Sequence, residues 1–163
     1  MAKLGDTTVY GSVDAHGIVT RPKQPSFCAY LTANQTIVAL STWYTITGWT
    51  EIFNTGNHFN LTTGIFTAPV TGKYQLSTNV DLRALDSAAG YYWIRLMTSN
   101  STYGCLLDPN FTADCNYRPF SISILADMDA GDEAYVYMYQ SGGTANQTRA
   151  NSLYTTFSGF LVC

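Results

Sequence analysis

Few side chains in this chain could do chemistry. Its histidines are His16 and His58, and its glutamates are Glu51 and Glu133. Both histidines stand in turn-like sequence, and neither belongs to an H-x-H or H-E-x-x-H spacing that would bring two imidazoles to one metal. No Gly-x-Ser-x-Gly elbow and no phosphate-cradling glycine loop occurs. A glycosidase needs two carboxylates across a sugar, and the acidic residues single out no such pair. The reading is a non-enzymatic protein. The densest carboxylates fall in "LADMDAGDEA", where Asp127, Asp129, Asp132 and Glu133 lie close together. Hard cations take several carboxylate oxygens, so this is the candidate calcium site, although it lacks the spacing of an EF-hand loop. The competing reading is a solvated acidic turn ahead of a strand.

Two further groups carry a chemical reading. Trp43, Tyr44 and Trp49 cluster in a strand and the loop after it. Exposed, they would stack on a glycan; packed inward, they would be core. Cysteines fall at 28, 105, 115 and 163, without C-x-x-C spacing. Cys105 and Cys115 bracket "LLDPNFTAD", and a disulfide closing that loop would stabilise the fold by ~2–3 kcal/mol. Free thiols are the alternative. Five N-x-[ST] triplets, at Asn34, Asn60, Asn100, Asn110 and Asn146, are sugar acceptors in a secreted protein or a by-product of an Asn- and Thr-rich composition.

The elements that must position these residues are strands. The 163 residues suit one domain. Charged residues make up 12%, against about 25% in ordinary domains. The net charge of −3 and the lack of a basic cluster argue against nucleic-acid binding. The longest apolar stretches fall well short of a membrane span, which needs roughly 20 residues. No window shows a clean helical period, whereas β-branched and aromatic runs recur between Gly, Asn, Asp and Pro. Nine such runs are legible: 26–32, 36–40, 41–46, 64–68, 72–82, 91–98, 118–128, 133–140 and 154–162. Many short strands with frequent turns predict an all-β antiparallel sandwich or jelly roll. Residues 1–25 differ: two short strand-like pieces and two prolines suggest a β-like stalk or docking segment, ahead of a head over 26–163.

Two strands are apolar on both faces. In "AYVYMYQ", Tyr135, Tyr137 and Tyr139 alternate with Val136 and Met138. In "YYWIRLMT", Tyr91, Trp93 and Arg95 oppose Tyr92, Ile94 and Leu96. A lone sandwich leaves one face of each sheet in water, so a second copy of the chain is the economical partner. Tyr92, Ile94, Tyr135, Tyr137 and Tyr139 are the trimer-interface candidates.

The stretch "FNTGNHFNLTTGIFTAPVTGKYQLSTNV" resembles the signature of the globular head of complement component 1q, in the tumour-necrosis-factor-like jelly-roll superfamily. Asn54, Phe59, Phe66, Gly72 and Tyr74 fill the signature positions. Phe27 matches the first head strand, "AGDEAYVYMY" a Gly-Asp-Glu lead into a strand, and "FSGFLV", with Gly159 and Phe160, the closing strand. The resemblance covers about residues 25–163. It departs at Gly48, Leu76 and Thr78, where aromatics are usual. It implies a jelly roll of about ten strands that assembles as a homotrimer and serves as a binding head for proteins, glycans or cell surfaces. It also implies calcium in some members.

The segment "VYGSVDAHGIVTRPKQPSF" is similar to the lead-in of tailed-bacteriophage virion proteins. The start "MAKLGD" lacks the apolar core of a secretory signal, which suits folding in a host cytoplasm. The first expectation is therefore a virion surface protein, as capsid decoration or fibre knob. Residues 1–25 would dock it on a capsid or fibre protein, and the head would meet a host glycan or protein. The alternative is a secreted complement-like recognition or signalling module of a cellular organism.

Overall fold

Alternation of apolar and polar residues over five to fourteen positions drives the chain into strands that bury one face each. A computed structural model describes residues 23–36, 40–144, 147–148 and 154–163. The stalk expectation falls almost wholly outside the described residues, as do positions 37–39 of the run read at 36–40. Among the described residues the elements are strands throughout. In chain order they are β1 (Ser26–Leu31), β2 (Tyr44–Thr45), β3 (Trp49–Thr55), β4 (Phe59–Asn60), β5 (Ile65–Thr67) and β6 (Gly72–Leu85). They continue with β7 (Tyr91–Thr98), β8 (Thr102–Leu107), β9 (Cys115–Met128), β10 (Glu133–Ser141), β11 (Gln147–Thr148) and β12 (Thr156–Leu161).

The strands form two antiparallel sheets. The first runs β9-β6-β12-β1-β3, with β11 extending the line of β12 along β6. The second runs β4-β5-β10-β7-β8, with β2 also on β10. This is the all-β jelly roll that the sequence predicts. Pro119 is tolerated inside β9 because that strand pairs only with β6, leaving an edge on which a missing N–H costs nothing. Two full strands escaped the sequence reading, β3 and β8.

The core lies between the sheets. Phe27, Leu31, Leu76, Val80 and Phe157 come from the first sheet, and Tyr92, Ile94, Leu96, Val136 and Met138 from the second. An aromatic knot sits at its centre. Phe27 stacks on Phe59 at 4.6 Å and on Phe66 at 4.9 Å, and meets Phe157 edge-on at 5.0 Å. Such pairs add about 0.5–1.5 kcal/mol each beyond area burial. The start of the head is tied down by the Leu161 N–H, which donates to the Pro25 carbonyl at 3.0 Å, and by the Gln24 side chain, which donates to the Leu161 carbonyl.

Candidate functional site

The signature residues build the frame. The Asn54 amide bonds both backbone groups of Phe59, and Phe59 and Phe66 fill the aromatic knot. The Tyr74 ring meets Phe66 edge-on at 5.5 Å, and its hydroxyl donates to the Val70 carbonyl at 2.8 Å. Burial raises the Tyr74 phenol above its ordinary pKa, with the Val70 bond opposing. Gly72 and Gly159 mark close approaches. A Cβ on Gly72 would lie 2.4 Å from the Cys163 carbonyl oxygen, and one on Gly159 would lie 2.5 Å from Leu76 Cδ2. Phe160, grouped with this frame from the sequence, instead points outward.

The outer face of the second sheet carries an aromatic platform. Its register sets Arg95 opposite Tyr137, Trp93 opposite Tyr139 and Met97 opposite Tyr135, all on one side. Trp43 folds over them, 5.7 Å from Tyr137 and 5.0 Å from Tyr139. Tyr91 stacks on Tyr139 at 5.6 Å. The hydrogen bond with Tyr139 raises the Tyr91 phenol, and burial adds to the effect. The Arg95 guanidinium carbon lies 3.7 Å from the Trp93 ring centre and 4.2 Å from that of Trp43.

Several expectations are corrected here. Tyr92 and Ile94 are core residues with no exposed surface, because β7 turns its even-numbered side chains inward against Val136 and Met138. Tyr135, Tyr137 and Tyr139 do face outward, half-covered by one another and by Trp43. The tryptophan cluster divides. Trp49 is buried, with its indole N–H donating to the Ile46 carbonyl at 2.9 Å. Tyr44 packs against the core. Trp43 alone joins the outer platform.

The outer face of the first sheet differs in character, and sequence reasoning missed it. One cross-strand row reads Leu125, Gln75, Phe160, Ser26 and Thr55; the next reads Ser123, Ser77, Ser158, Cys28 and Phe53. Phe53, Leu125 and Phe160 stand 48%, 54% and 48% exposed. Between the two phenylalanines lies an open groove of about 420 Å³ floored by Ser26, Cys28, Ser77 and Ser158. The polar groups largely satisfy one another. Ser77 and Ser123 hydroxyls lie 2.8 Å apart, and Gln75 Nε2 donates to Ser123 at 2.9 Å. Burial pushes the Cys28 thiol pKa up. The only signal in the sequence was three large apolar residues out of phase with their strands' inward sets.

The remaining candidates do not form sites. Cys105 and Cys115 are both free thiols; Cys105 Sγ is directed at the Ser121 carbonyl and Cys115 Sγ at that of Tyr117. The acidic residues serve the turn. Asp132 Oδ2 accepts from Asn100 Nδ2 at 2.7 Å and from the Asp129 N–H at 2.9 Å, and Asp129 Oδ1 accepts from Thr71. Asp127 faces Lys73 at 3.7 Å, and the Glu133 N–H donates to Ser99. Among the described residues no three potential ligands converge, so Asp127, Asp129, Asp132 and Glu133 do not fit a calcium site.

Known proteins share this fold. The globular domain of zebrafish complement 1qA superposes with a TM-score of 0.63 at 18% identity, covering 86% of this chain and 98% of that one. Murine APRIL superposes with a TM-score of 0.62 at 12% identity, covering 86% and 100%. In sequence, the bovine protein HP-25 homolog 2 is 26% identical over 111 residues, 68% of this chain and 46% of that protein. The chain thus spans about half the length of this curated relative. The C1q domain is matched over residues 26–162, most of the chain, and the chain belongs to the C1q domain family.

Proposed function

We propose that the chain is the homotrimeric, non-enzymatic recognition head of a secreted C1q-type protein of a cellular organism. Domains of the C1q and tumour-necrosis-factor type form homotrimers, are generally recognition modules without catalysis, and are typically extracellular in C1q-domain proteins. Of the two settings weighed from the sequence, the relatives named above, all animal proteins, support this one. The tailed-phage virion setting has no counterpart among them.

The observation that carries the reading is the outer face of the first sheet. Phe53, Leu125 and Phe160 are exposed around small side chains whose hydroxyls already bond one another. Such a face can go dry at little polar cost. The aromatic face of the second sheet is by contrast half-covered by its own rings. The copies therefore meet through β1, β3, β6, β9 and β12, and the second sheet faces solvent. Ser158→Arg on the groove floor is expected to break the trimer into folded monomers. Leu106→Arg, on the outer side of β8, is expected to leave it intact. The opposite pattern would reject this assignment.

A further inference from the structure

We infer that the outer face of the second sheet binds an acidic saccharide, whose carboxylate is held by Arg95 and whose ring lies on Trp43, Trp93 and the neighbouring tyrosines. This deepens, and rests on, the reading of the chain as a recognition head.

The geometry around Arg95 is built rather than incidental. Its guanidinium lies against two indoles, and its Nε is buried without a hydrogen-bond partner. Stacking uses the faces of a guanidinium and leaves its edge, with up to five in-plane donors, for a planar acceptor. Among the described residues no carboxylate lies within ion-pair distance of Arg95. A carboxylate matches the open edge of a guanidinium fork with two parallel bonds.

Glycine at 104 makes room for this arrangement. Gly104 stands opposite Arg95 on β8. A Cβ there would lie 2.8 Å from Trp93 Nε1 and 3.2 Å from Arg95 Cγ. Only a hydrogen at that position lets both side chains lie along the sheet.

The surroundings select the body that carries the carboxylate. Between Tyr91 and Met97 on β7, and between Tyr135 and Ser141 on β10, Arg95 is the only charged residue. The platform alternates ring faces with phenol hydroxyls, and the indole N–H groups of Trp43 and Trp93 donate no hydrogen bond among the described residues. Its margin mixes polar Thr45, Thr102 and Ser141 with apolar Met97 and exposed Leu106 at the same register positions. A pyranose offers the complement: an apolar C–H face, a rim of hydroxyls and, in a uronic acid, one carboxylate.

The test follows the three indole N–H resonances during titration with methyl β-glucuronide, methyl β-glucoside and N-acetyl-glutamate amide. Trp43 and Trp93 report the platform, and Trp49, buried in the core, is the internal control. The glucuronide is expected to move Trp43 and Trp93 but not Trp49, and to bind about tenfold or more tightly than the glucoside. Arg95→Gln should reduce the glucuronide to the level of the glucoside, and Arg95→Lys, which loses the fork, should recover only part. Equal binding of the two sugars, glutamate amide binding as tightly as the glucuronide, or silent Trp43 and Trp93 resonances would each overturn the proposal. The comparison of the two sugars uses the unaltered protein, so it stands even if a variant misfolds. Failure of the recognition-head reading would show separately, as a monomeric native mass.

Discussion

The side-chain amide of Asn54 clasps Phe59 at both backbone groups: Nδ2 donates to its carbonyl at 2.9 Å and Oδ1 accepts its N–H at 3.2 Å. The five-residue spacing is what a turn through Gly56 and Asn57, both at positive φ, needs to return the chain beside β3. The clasp aims the Phe59 ring at Phe27. Asn54→Ala is expected to cost about 1–3 kcal/mol, read from chemical or thermal unfolding. Asn54→Asp keeps the acceptor but turns a carboxylate oxygen toward the Phe59 carbonyl, and should cost at least as much. Unchanged stability in both would remove the clasp from the account.

Gly159 offers a packing test. A methyl group there would press on Leu76 Cδ2 at 2.5 Å and Phe27 Cε1 at 2.9 Å. Gly159→Ala should destabilise the head by roughly 1–3 kcal/mol through overpacking. A neutral result would mean that the Leu76 and Phe27 side chains give way more easily than this core implies.

Tyr92 gives the pH dependence. Its hydroxyl accepts from the Asp86 N–H at 2.7 Å and donates to the Asp86 carbonyl at 3.1 Å. Burial, with added repulsion from Asp86 and Asp114, pushes its phenol up to about 12. A phenol raised on folding contributes stability that is fully present below its unfolded pKa, near 10, and is lost as pH rises through the folded value. Thermal stability should therefore fall between about pH 10 and about pH 12. Tyr92→Phe should flatten that fall while lowering stability at neutral pH, because the Asp86 N–H loses its acceptor.

What could be read from the sequence was what local spacing encodes. The intervals from Asn54 to Phe59, Phe66 and Tyr74 are set by turns and pleats within one stretch, so they survive translation into structure. Alternation in β7 revealed two faces but not which one points inward. The choice is made by pairing with β10, where Arg95 meets Tyr137 and Tyr92 meets Gln140. Tyr92 and Ile94 were therefore placed on the wrong side. β3 was hidden because its register slips opposite Cys28 and Ala29, which breaks the alternation around Glu51 and Ile52. β8 was hidden by Gly104, a strand-weakening residue whose missing side chain leaves room for Trp93 and Arg95. The groove between Phe53 and Phe160 joins residues more than a hundred positions apart, and no local pattern announces it.

The thiols test that groove. Cys28 lies on its floor, and desolvation raises its pKa above the ordinary thiol value. In the assembled protein Cys28 should react with iodoacetamide much more slowly than exposed Cys163 at pH 8, and its rate should keep rising with pH beyond the range where an ordinary thiol levels off. Unfolding without reductant should expose four alkylatable cysteines. Only two would reveal a bridge at odds with the separate directions of Cys105 and Cys115.

The central claim is that the chain assembles as a trimer, and the native mass in solution tests it most directly. Light scattering on the eluting protein should give about three times the 17.9 kDa chain. A clean monomer at micromolar concentration would contradict it, leaving Phe53, Leu125 and Phe160 to be covered by a different partner.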